Sequence, residues 1–588
     1  MRDLYKRFLD KELSRRDFGR GLTSLGLSAA AANSVVVSMA AAREPLPAEG
    51  ILVEGTGSDV LLETLRSAGI RYVFGTTATG MSPLFDAMTL KPDTQFILSI
   101  SESQATSMAH GYELVSGEVG ALFVPGVAIP STMNNLYNAW KDRSSLAVFS
   151  DAQSNRLPGR NMFQQMEDWL EPMNQFTKWR WQVNNESQIG EMTRRAIKLA
   201  VTAPGGPVHV RYPLNILGAT GVKQTVYPHS RFHVPVEMRP KAELVEQTAK
   251  LLLEAEKPML CCGSEVTRAR ANDQLIALAE LIGAPVSQGF SVYGDFPFRH
   301  PLFAGFYGLG VPRGLAGTDV FLNLGAQMPD PGMFTAPVPK YATTIQARID
   351  PDDIANIYPA DIAIAAGMKE TIVDVTDAIS GMASADRLRK MSEARISAAR
   401  EQQAKADARR KEQAKEHWNA SPMSWERISA ELEDALEEDA IIIPELDYRT
   451  PLKWMNFDQG KKWLVGQTTG FALGWGIGAA IGAKIAAPDR QVVSLVGDGA
   501  LLFGQVEALW TAARYDVPTI IVVFNNRSYD NERNRIQNLS PLYRSKKTRD
   551  QWKDITGYLG DPDVDFVGLA KAFEIDGMVA ETDRKSVV

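Results

Sequence analysis

The sequence predicts an α/β protein of three parallel-sheet domains, and three observations carry that prediction. Short apolar runs rich in β-branched residues alternate with amphipathic helical patterns in three separate stretches, the signature of βαβ units. The run 491–496 (QVVSLV) stops abruptly in Gly497-Asp498-Gly499-Ala500. A helical pattern follows, Pro518 resets the chain, and a second run, 519–524 (TIIVVF), ends at Asn525-Asn526. That is one βαβ crossover with polar groups at the carboxyl ends of its strands, where ligands bind in open α/β sheets. Finally, 588 residues with 45% hydrophobic and 23% charged side chains are ordinary for a globular protein of three or four domains.

Composition removes some functions. The net charge of −7 offers no basic face for a nucleic acid. The two cysteines, Cys261 and Cys262, are adjacent in an apparent strand, so they form neither a metal-ligand spacing nor a disulfide framework.

At the amino end, Ser14-Arg15-Arg16-Asp17-Phe18-Gly19-Arg20 resembles the twin-arginine export motif. Residues 21–42 are weakly apolar and rich in Ala, Ser and Gly, with Ser38-Met39-Ala40 as a small-residue cleavage site. This stretch is too polar for a membrane span. The expectation is that 1–42 is a signal segment read by the twin-arginine export machinery, and that the protein is periplasmic. A disordered or amphipathic amino terminus is the alternative.

Residues 50–220 form the first predicted domain. A helix is expected over 57–69, a strand and turn over 72–75, a strand over 96–100 ending at Ser101-Glu102, and a helix over 104–115. Residues 240–383 form the second, with a helix over 242–256, strands over 258–262 and 318–324, and a helix over 271–282. No G-x-G-x-x-G occurs there. Residues 384–421 are dense in Arg, Lys, Glu, Gln and Ala, and are expected to be a solvated helical linker. Residues 422–588 form the third domain, with a helix over 425–436, a strand over 440–444 and a Gly/Ala-rich helix with its approach over 468–485.

The chemistry suited to the third domain is a divalent cation carrying a diphosphate. Asp498 offers a carboxylate, Asn526 a side-chain carbonyl and Ser528 a backbone carbonyl, which are the hard oxygen ligands Mg2+ takes alongside phosphate oxygens. Gly497 and Gly499 permit close approach, and the amides of Gly499 and Ala500 open the next helix toward a phosphate. Val506, Leu509, Trp510 and Ala513 are expected to form the buried face of that helix, with 519–524 as a buried strand.

The combination of Gly497-Asp498-Gly499 with Asn525-Asn526, within the run from Gly478 to Tyr529, resembles the diphosphate-binding domain of the thiamine diphosphate-dependent decarboxylase and acetolactate synthase superfamily. The stretch 508–523 (ALWTAARYDVPTIIVV) is most like benzoylformate decarboxylases, and the similarity runs from about Val53 to nearly the end of the chain. The resemblance implies pyrimidine-binding, central and diphosphate-binding domains, all Rossmann-like, with thiamine diphosphate and Mg2+ as cofactors. It implies that Glu102, with Gly111-Tyr112 beyond it, binds the aminopyrimidine ring nitrogen and activates the cofactor. Glu102 taken alone is equally a helix N-terminal acid. Leu473 falls where the family places a bulky apolar residue beneath the cofactor.

The chain also departs from the family. Its Phe-Gly-x-Pro-Gly turn reads Phe74-Gly75-Thr76-Thr77-Ala78, Ser101 precedes the glutamate where His is common, and Val124 stands near an active-site histidine position. Leu136-Tyr137-Asn138-Ala139-Trp140 does match. His300, in Arg299-His300-Pro301, corresponds to a family acid or base, or else serves loop structure. Glu532, six positions after Asn526, corresponds to a catalytic glutamate of pyruvate decarboxylase-like members, or is a surface acid. Past Met578-Val579-Ala580 the family continues for a further helix and strand, so the last domain is expected to be short.

The resemblance implies decarboxylation of a 2-oxo acid by a dimer or tetramer, because paired chains share each site in the family. An acetolactate synthase-like carboligase or carbon–carbon lyase is the alternative, and a cofactor-binding protein without turnover is the reading of another class.

Overall fold

The computed structural model describes residues 7, 13, 15–24, 50–235, 237–308, 310–328, 337–446, 452, 455–457, 462–544 and 557–580. The cleavage site at 38–40 and residues 581–588 lie outside them. Within the amino-terminal segment, Arg15–Ser24 is helical, with Phe18 and Leu22 fully buried.

The first unit begins with β1 (Ile51–Gly55) and α1 (Gly57–Ser67), the latter opened by a Thr56/Asp59 capping box. Strands β2 (Tyr72–Gly75) and β3 (Gln95–Leu98) follow, then α2 (Glu102–Ser116). Next come β4 (Gly120–Val124), α3 (Ile129–Lys141), β5 (Leu146–Ala152), β6 (Trp179–Gln182), β7 (Val208–Pro213) and β8 (Val222–Val226). Strands β1 and β8 pair antiparallel as a flap. The rest form a parallel sheet of order β3-β2-β4-β5-β7-β6, whose direction of winding reverses between β2 and β4.

The second unit contains α4 (Ala242–Glu254), β9 (Pro258–Cys262), α5 (Asn272–Ile282), β10 (Val286–Gln288), β11 (Phe303–Phe306), β12 (Val320–Leu324), β13 (Thr343–Arg348) and β14 (Ile362–Ala365). Its parallel sheet runs β11-β10-β9-β12-β13-β14 and reverses between β9 and β12. A 33-residue helix, α6 (Ala385–His417), follows and is not simply solvated. Leu388 and Ala399 enter the core of this unit, and Arg395 donates to the carbonyls of Ile282 and Ala255, capping the carboxyl end of α5.

The third unit has β15 (Ile441–Glu445), β16 (Trp463–Leu464), α7 (Gly476–Ala486), β17 (Val492–Gly497), α8 (Asp498–Leu502), α9 (Val506–Arg514), β18 (Ile520–Phe524), α10 (Asp530–Leu539) and α11 (Phe566–Lys571). Its parallel sheet, of order β16-β15-β17-β18, reverses between β15 and β17. The three parallel sheets are the expected α/β architecture.

Two expectations fail in detail. Strand β18 is an edge strand among the described residues, with Ile520 exposed and 521–523 half-buried, because an apolar run does not distinguish a central strand from an edge. Helix α9 buries Ala508, Leu509, Thr511 and Ala512, while Trp510 is half-buried and Ala513 exposed. The buried face is rotated because β3 lies against it: Thr511 donates to Leu98 O at 3.3 Å, and Tyr515 receives the Leu98 amide at 2.8 Å.

The first and third units share one core. Ala105, Met108 and Tyr112 of α2 pack with Ile477 and Ile481 of α7 and with Leu501 of α8. The two helices meet at glycines. A Cβ on Gly111 would fall 2.0 Å from Ala479 O, and one on Gly482 would fall 1.9 Å from Met108 O. The second unit joins through Arg268, which pairs with Glu113 at 2.8 Å and donates to Asp142 O and Ser144 Oγ, both at 2.9 Å.

Candidate active site

The reversal in the first sheet opens a crevice between the carboxyl ends of β2 and β4. Glu102 stands beside it, half-buried, as the first residue of α2. Thr76, just past β2, donates its hydroxyl to Glu102 Oε1 at 2.8 Å. The altered turn 74–78 therefore supplies a hydroxyl that holds the carboxylate. Val124 ends β4 fully buried in the apolar core, so no proton-transfer group stands at that position.

The reversal in the third sheet falls between β15 and β17. Asp498, next after β17, is 2% exposed. Burial pushes its carboxyl up from the ordinary range, while the amides of Gly499, Ser528, Asn526 and Arg527 pull it down. The Ser528 amide lies 3.2 Å from Asp498 Oδ2 and 2.9 Å from Asn526 Oδ1, so both oxygens converge on one donor. Arg527 adopts a positive φ of 55°, which turns the chain back after Asn526, and it pairs with Asp563.

The glycines behave differently from one another. Gly497 has an ordinary φ of −72°, and a Cβ there would meet nothing within 4 Å. What the glycine leaves is open space beside a buried carboxylate. At Gly499 a Cβ would lie 2.5 Å from the Tyr529 ring, so close packing does require glycine. Gly499 and Ala500 lie in the first turn of α8. An acid, an amide oxygen, helix-end amides and clear space at Gly497 together fit a cation-bound diphosphate.

A turn at 472–476 bridges the two crevices. Asn134 donates to Leu473 O at 2.7 Å, Asn135 to Gly474 O at 2.9 Å and Asn138 to Ala472 O at 2.9 Å, all from α3. Gln104, two residues past Glu102, donates to Gly474 O at 2.9 Å and also to Gly504 O. From the other side, Glu445 at the end of β15 accepts the amides of Gly474 (2.8 Å) and Gly476 (2.7 Å) and the Gln505 side chain (2.7 Å). Burial pushes the Glu445 carboxyl up to about 7, against the pull of these donors. Leu473 is held at the apex, half-buried against the shared core. The helix expected with its approach over 468–485 begins at Gly476, and this turn is part of the approach.

Glu445, Gln104, Asn134 and Asn135 were not singled out from sequence, and Asn138 entered only as part of the matching stretch 136–140. The signal was present for Glu445, which ends an apolar strand as Glu102 nearly does. Two other candidates stand apart. His300 lies 3.3 Å from Glu280 Oε1 on α5, packs edge-on to Phe296 and accepts the Leu302 amide, all within the second unit. Glu532 is exposed on α10 and pairs with Arg535 at 3.3 Å. Neither touches Glu102 or Asp498 among the described residues.

The second sheet's reversal point is closed. Arg348 at the end of β13 bridges Glu265 and Asp353 at 2.7 Å each, and a Cβ on Gly263 would fall 2.4 Å from the Ala326 backbone.

Comparison with known proteins gives three family matches. The N-terminal TPP binding domain of thiamine pyrophosphate enzymes matches residues 55–171, the central domain 245–375 and the C-terminal TPP binding domain 450–587. The chain is 27% identical over 556 residues to the sulfoacetaldehyde acetyltransferase of Rhodobacter capsulatus, covering 90% of each. It is 26% identical over 504 residues to the probable acetolactate synthase large subunit of Methanocaldococcus jannaschii, covering 80% of each. Among solved structures, a thiamine diphosphate-dependent 4-hydroxybenzoylformate decarboxylase of Rhodococcus jostii superposes with a TM-score of 0.71 at 24% identity, covering 90% of this chain and 94% of that one. The benzoylformate decarboxylase of Polynucleobacter necessarius gives 0.71 at 19% identity, with the same coverage.

Proposed function

This chain belongs to the thiamine pyrophosphate enzyme family, and from that premise we propose that it is a thiamine diphosphate- and Mg2+-dependent enzyme that decarboxylates a 2-oxo acid. One observation carries the reading. Glu102 stands beside the reversal point of its sheet and Asp498 at that of its own, and the turn that presents Leu473 is bonded from both sides.

When bound, thiamine diphosphate supplies a carbon nucleophile for the substrate carbonyl and a sink for the electrons released with carbon dioxide. Asp498 and Asn526 hold the cation through their side-chain oxygens, and Ser528 completes the set through its backbone. The amides of Gly499 and Ala500 receive phosphate oxygens. Leu473 would give the cofactor an apolar support. Glu102 would hold the proton exchanged with the pyrimidine, and the Thr76 hydroxyl fixes its Oε1. His300 and Glu532 are carried as proton-transfer candidates for the later steps. Two copies of the chain share each site, as a dimer or tetramer.

Calorimetric titration of thiamine diphosphate with Mg2+ into the wild type and Asp498→Ala tests the site, with micromolar binding expected only for the wild type. Carbon dioxide release from a panel of 2-oxo acids, lost in Glu102→Gln, tests the chemistry. A carboligase reading is favoured by the buried Val124, which puts an apolar side chain near the position where the resemblance implies a histidine. It predicts an acyloin or a 2-hydroxy-3-oxo acid when a second carbonyl compound is supplied. Binding without Glu102-dependent turnover would identify a cofactor-binding protein instead.

The Ser14–Arg20 motif supports export by the twin-arginine machinery. Replacing Arg15 and Arg16 by lysine should retain the protein in the cytoplasm, and periplasmic recovery of that variant would remove the export reading.

A further inference from the structure

Arg211 lies on β7, one strand beyond β5 in the sheet that carries Glu102. It is 7% exposed, and its side-chain Nε is buried without a hydrogen-bond partner. The guanidinium lies 5.2 Å from the Trp169 ring centre, a cation–π contact. Burial pushes it down to about 10, so it remains a cation at neutral pH. Asp151 and Asp168 act on it only through space. Burying a guanidinium whose Nε has no acceptor costs free energy, and an anion bound there would offset that cost.

Two further groups point the same way. Trp169 is 3% exposed, and its indole N–H has no acceptor. His209, two residues before Arg211 and hence on the same face of β7, bonds Ser150 through Nε2 at 2.9 Å and leaves Nδ1 without a partner. Trp169 anchors residues 153–178, a crossing from β5 to β6 whose only regular element is the short turn Pro172–Asn174. Long segments of this kind in compact domains tend to cover ligands. This one carries Arg156 and Arg160 exposed on its outer run.

We infer that Arg211 and Trp169, roofed by residues 153–171, bind the distal oxyanion of the substrate, so that the preferred 2-oxo acid carries a second acidic group at its far end. The inference rests on the 2-oxo acid reading above. Arg211 stands two strands from β4, or about 10 Å at the usual strand spacing, and the guanidinium stem shortens that gap. It therefore cannot serve the reacting carboxylate but is placed for one several carbons away. Arginine suits the task because its planar fork takes a carboxylate in two parallel bonds.

The test compares 2-oxobutanoate, 2-oxoglutarate and 2-oxoadipate on the full-length protein loaded with thiamine diphosphate and Mg2+. Wild type should favour one of the two diacids over 2-oxobutanoate by at least tenfold in kcat/KM. Arg211→Met should raise KM for that diacid at least tenfold, with kcat and the 2-oxobutanoate values unchanged. A wild-type preference for the monoacid, or a diacid preference untouched by Arg211→Met, overturns the inference. If no 2-oxo acid is turned over, the catalytic reading fails separately. The site is then decided by the unreactive diacids glutarate and adipate, which should raise the Tm of the wild type but not of Arg211→Met. No rise in the wild type also overturns it. Without ligand, Arg211→Met should melt at or above the wild-type temperature. A lower Tm or a changed oligomer mass would mean that an acid of the protein or of a second copy already pairs with Arg211, and would remove the site.

Discussion

The hydroxyl of Thr76 donates to Glu102 Oε1 at 2.8 Å, joining the turn after β2 to the first residue of α2. Thr76→Val keeps the shape and removes the donor. A neutral side-chain hydrogen bond contributes about 1 kcal/mol, so turnover should fall roughly fivefold with little change in cofactor affinity. Glu102→Gln should lower turnover by about 10^2–10^4, the range for a positioned proton-transfer group. Steady-state kinetics with parallel cofactor titrations separates the two.

Gly497→Ala isolates the cofactor contact from folding. Its backbone is compatible with any residue, and a Cβ meets nothing in the chain, so denaturant midpoints should stay within about 0.5 kcal/mol of wild type. The methyl projects into the space assigned to the diphosphate, so calorimetry should show affinity lost or reduced at least tenfold.

Gly482→Ala should act in the opposite way. The added methyl would lie 1.9 Å from Met108 O, and backbone cannot yield as a side chain end can. Separation of α2 from α7 should cost about 3 kcal/mol or more, read as a lower urea midpoint.

Arg268 and Glu113 form a pair at 2.8 Å, with Glu113 only 2% exposed. Arg268→Ala leaves a buried carboxylate without its partner and should destabilise by about 3–5 kcal/mol. Arg268→Met combined with Glu113→Gln should recover a large part of that loss. A double-mutant cycle on unfolding midpoints measures the coupling.

His209 is fully buried, and burial, with Arg211 and Arg180 nearby, pushes it down to about 3 from an ordinary 6.5. The folded protein keeps this ring neutral while the unfolded chain protonates it. Its contribution is therefore complete above pH 6.5 and is lost as pH falls toward 3, at about 1.4 kcal/mol per unit. Urea midpoints at pH 7, 6 and 5 should fall less steeply in His209→Gln than in wild type.

The parts of the site legible in sequence are those in which local chemistry and chain order coincide. A strand that ends in Gly497-Asp498-Gly499 and a partner that ends in Asn525-Asn526 declare a crossover and its ligands together. Glu102 was legible as an acid at the end of an apolar run. The bridging turn was not, because Asn134, Asn135, Asn138 and Glu445 reach it across more than one unit, and a helix pattern records only which face is apolar. Strand β18 and the face of α9 were misjudged for a related reason: burial there depends on which neighbour the sheet and β3 provide. The surroundings of His300 were not legible either, since its contacts with Glu280 and Phe296 come from α5 and the preceding loop.

Because α2 and α7 touch backbone to backbone, the first and third units of one chain cannot loosen independently. Amide hydrogen exchange should find these two helices opening as a single cooperative unit, at one common free energy, even without ligand. Each copy would thus meet a second copy with these two units already locked together, and only the docking of rigid bodies would remain.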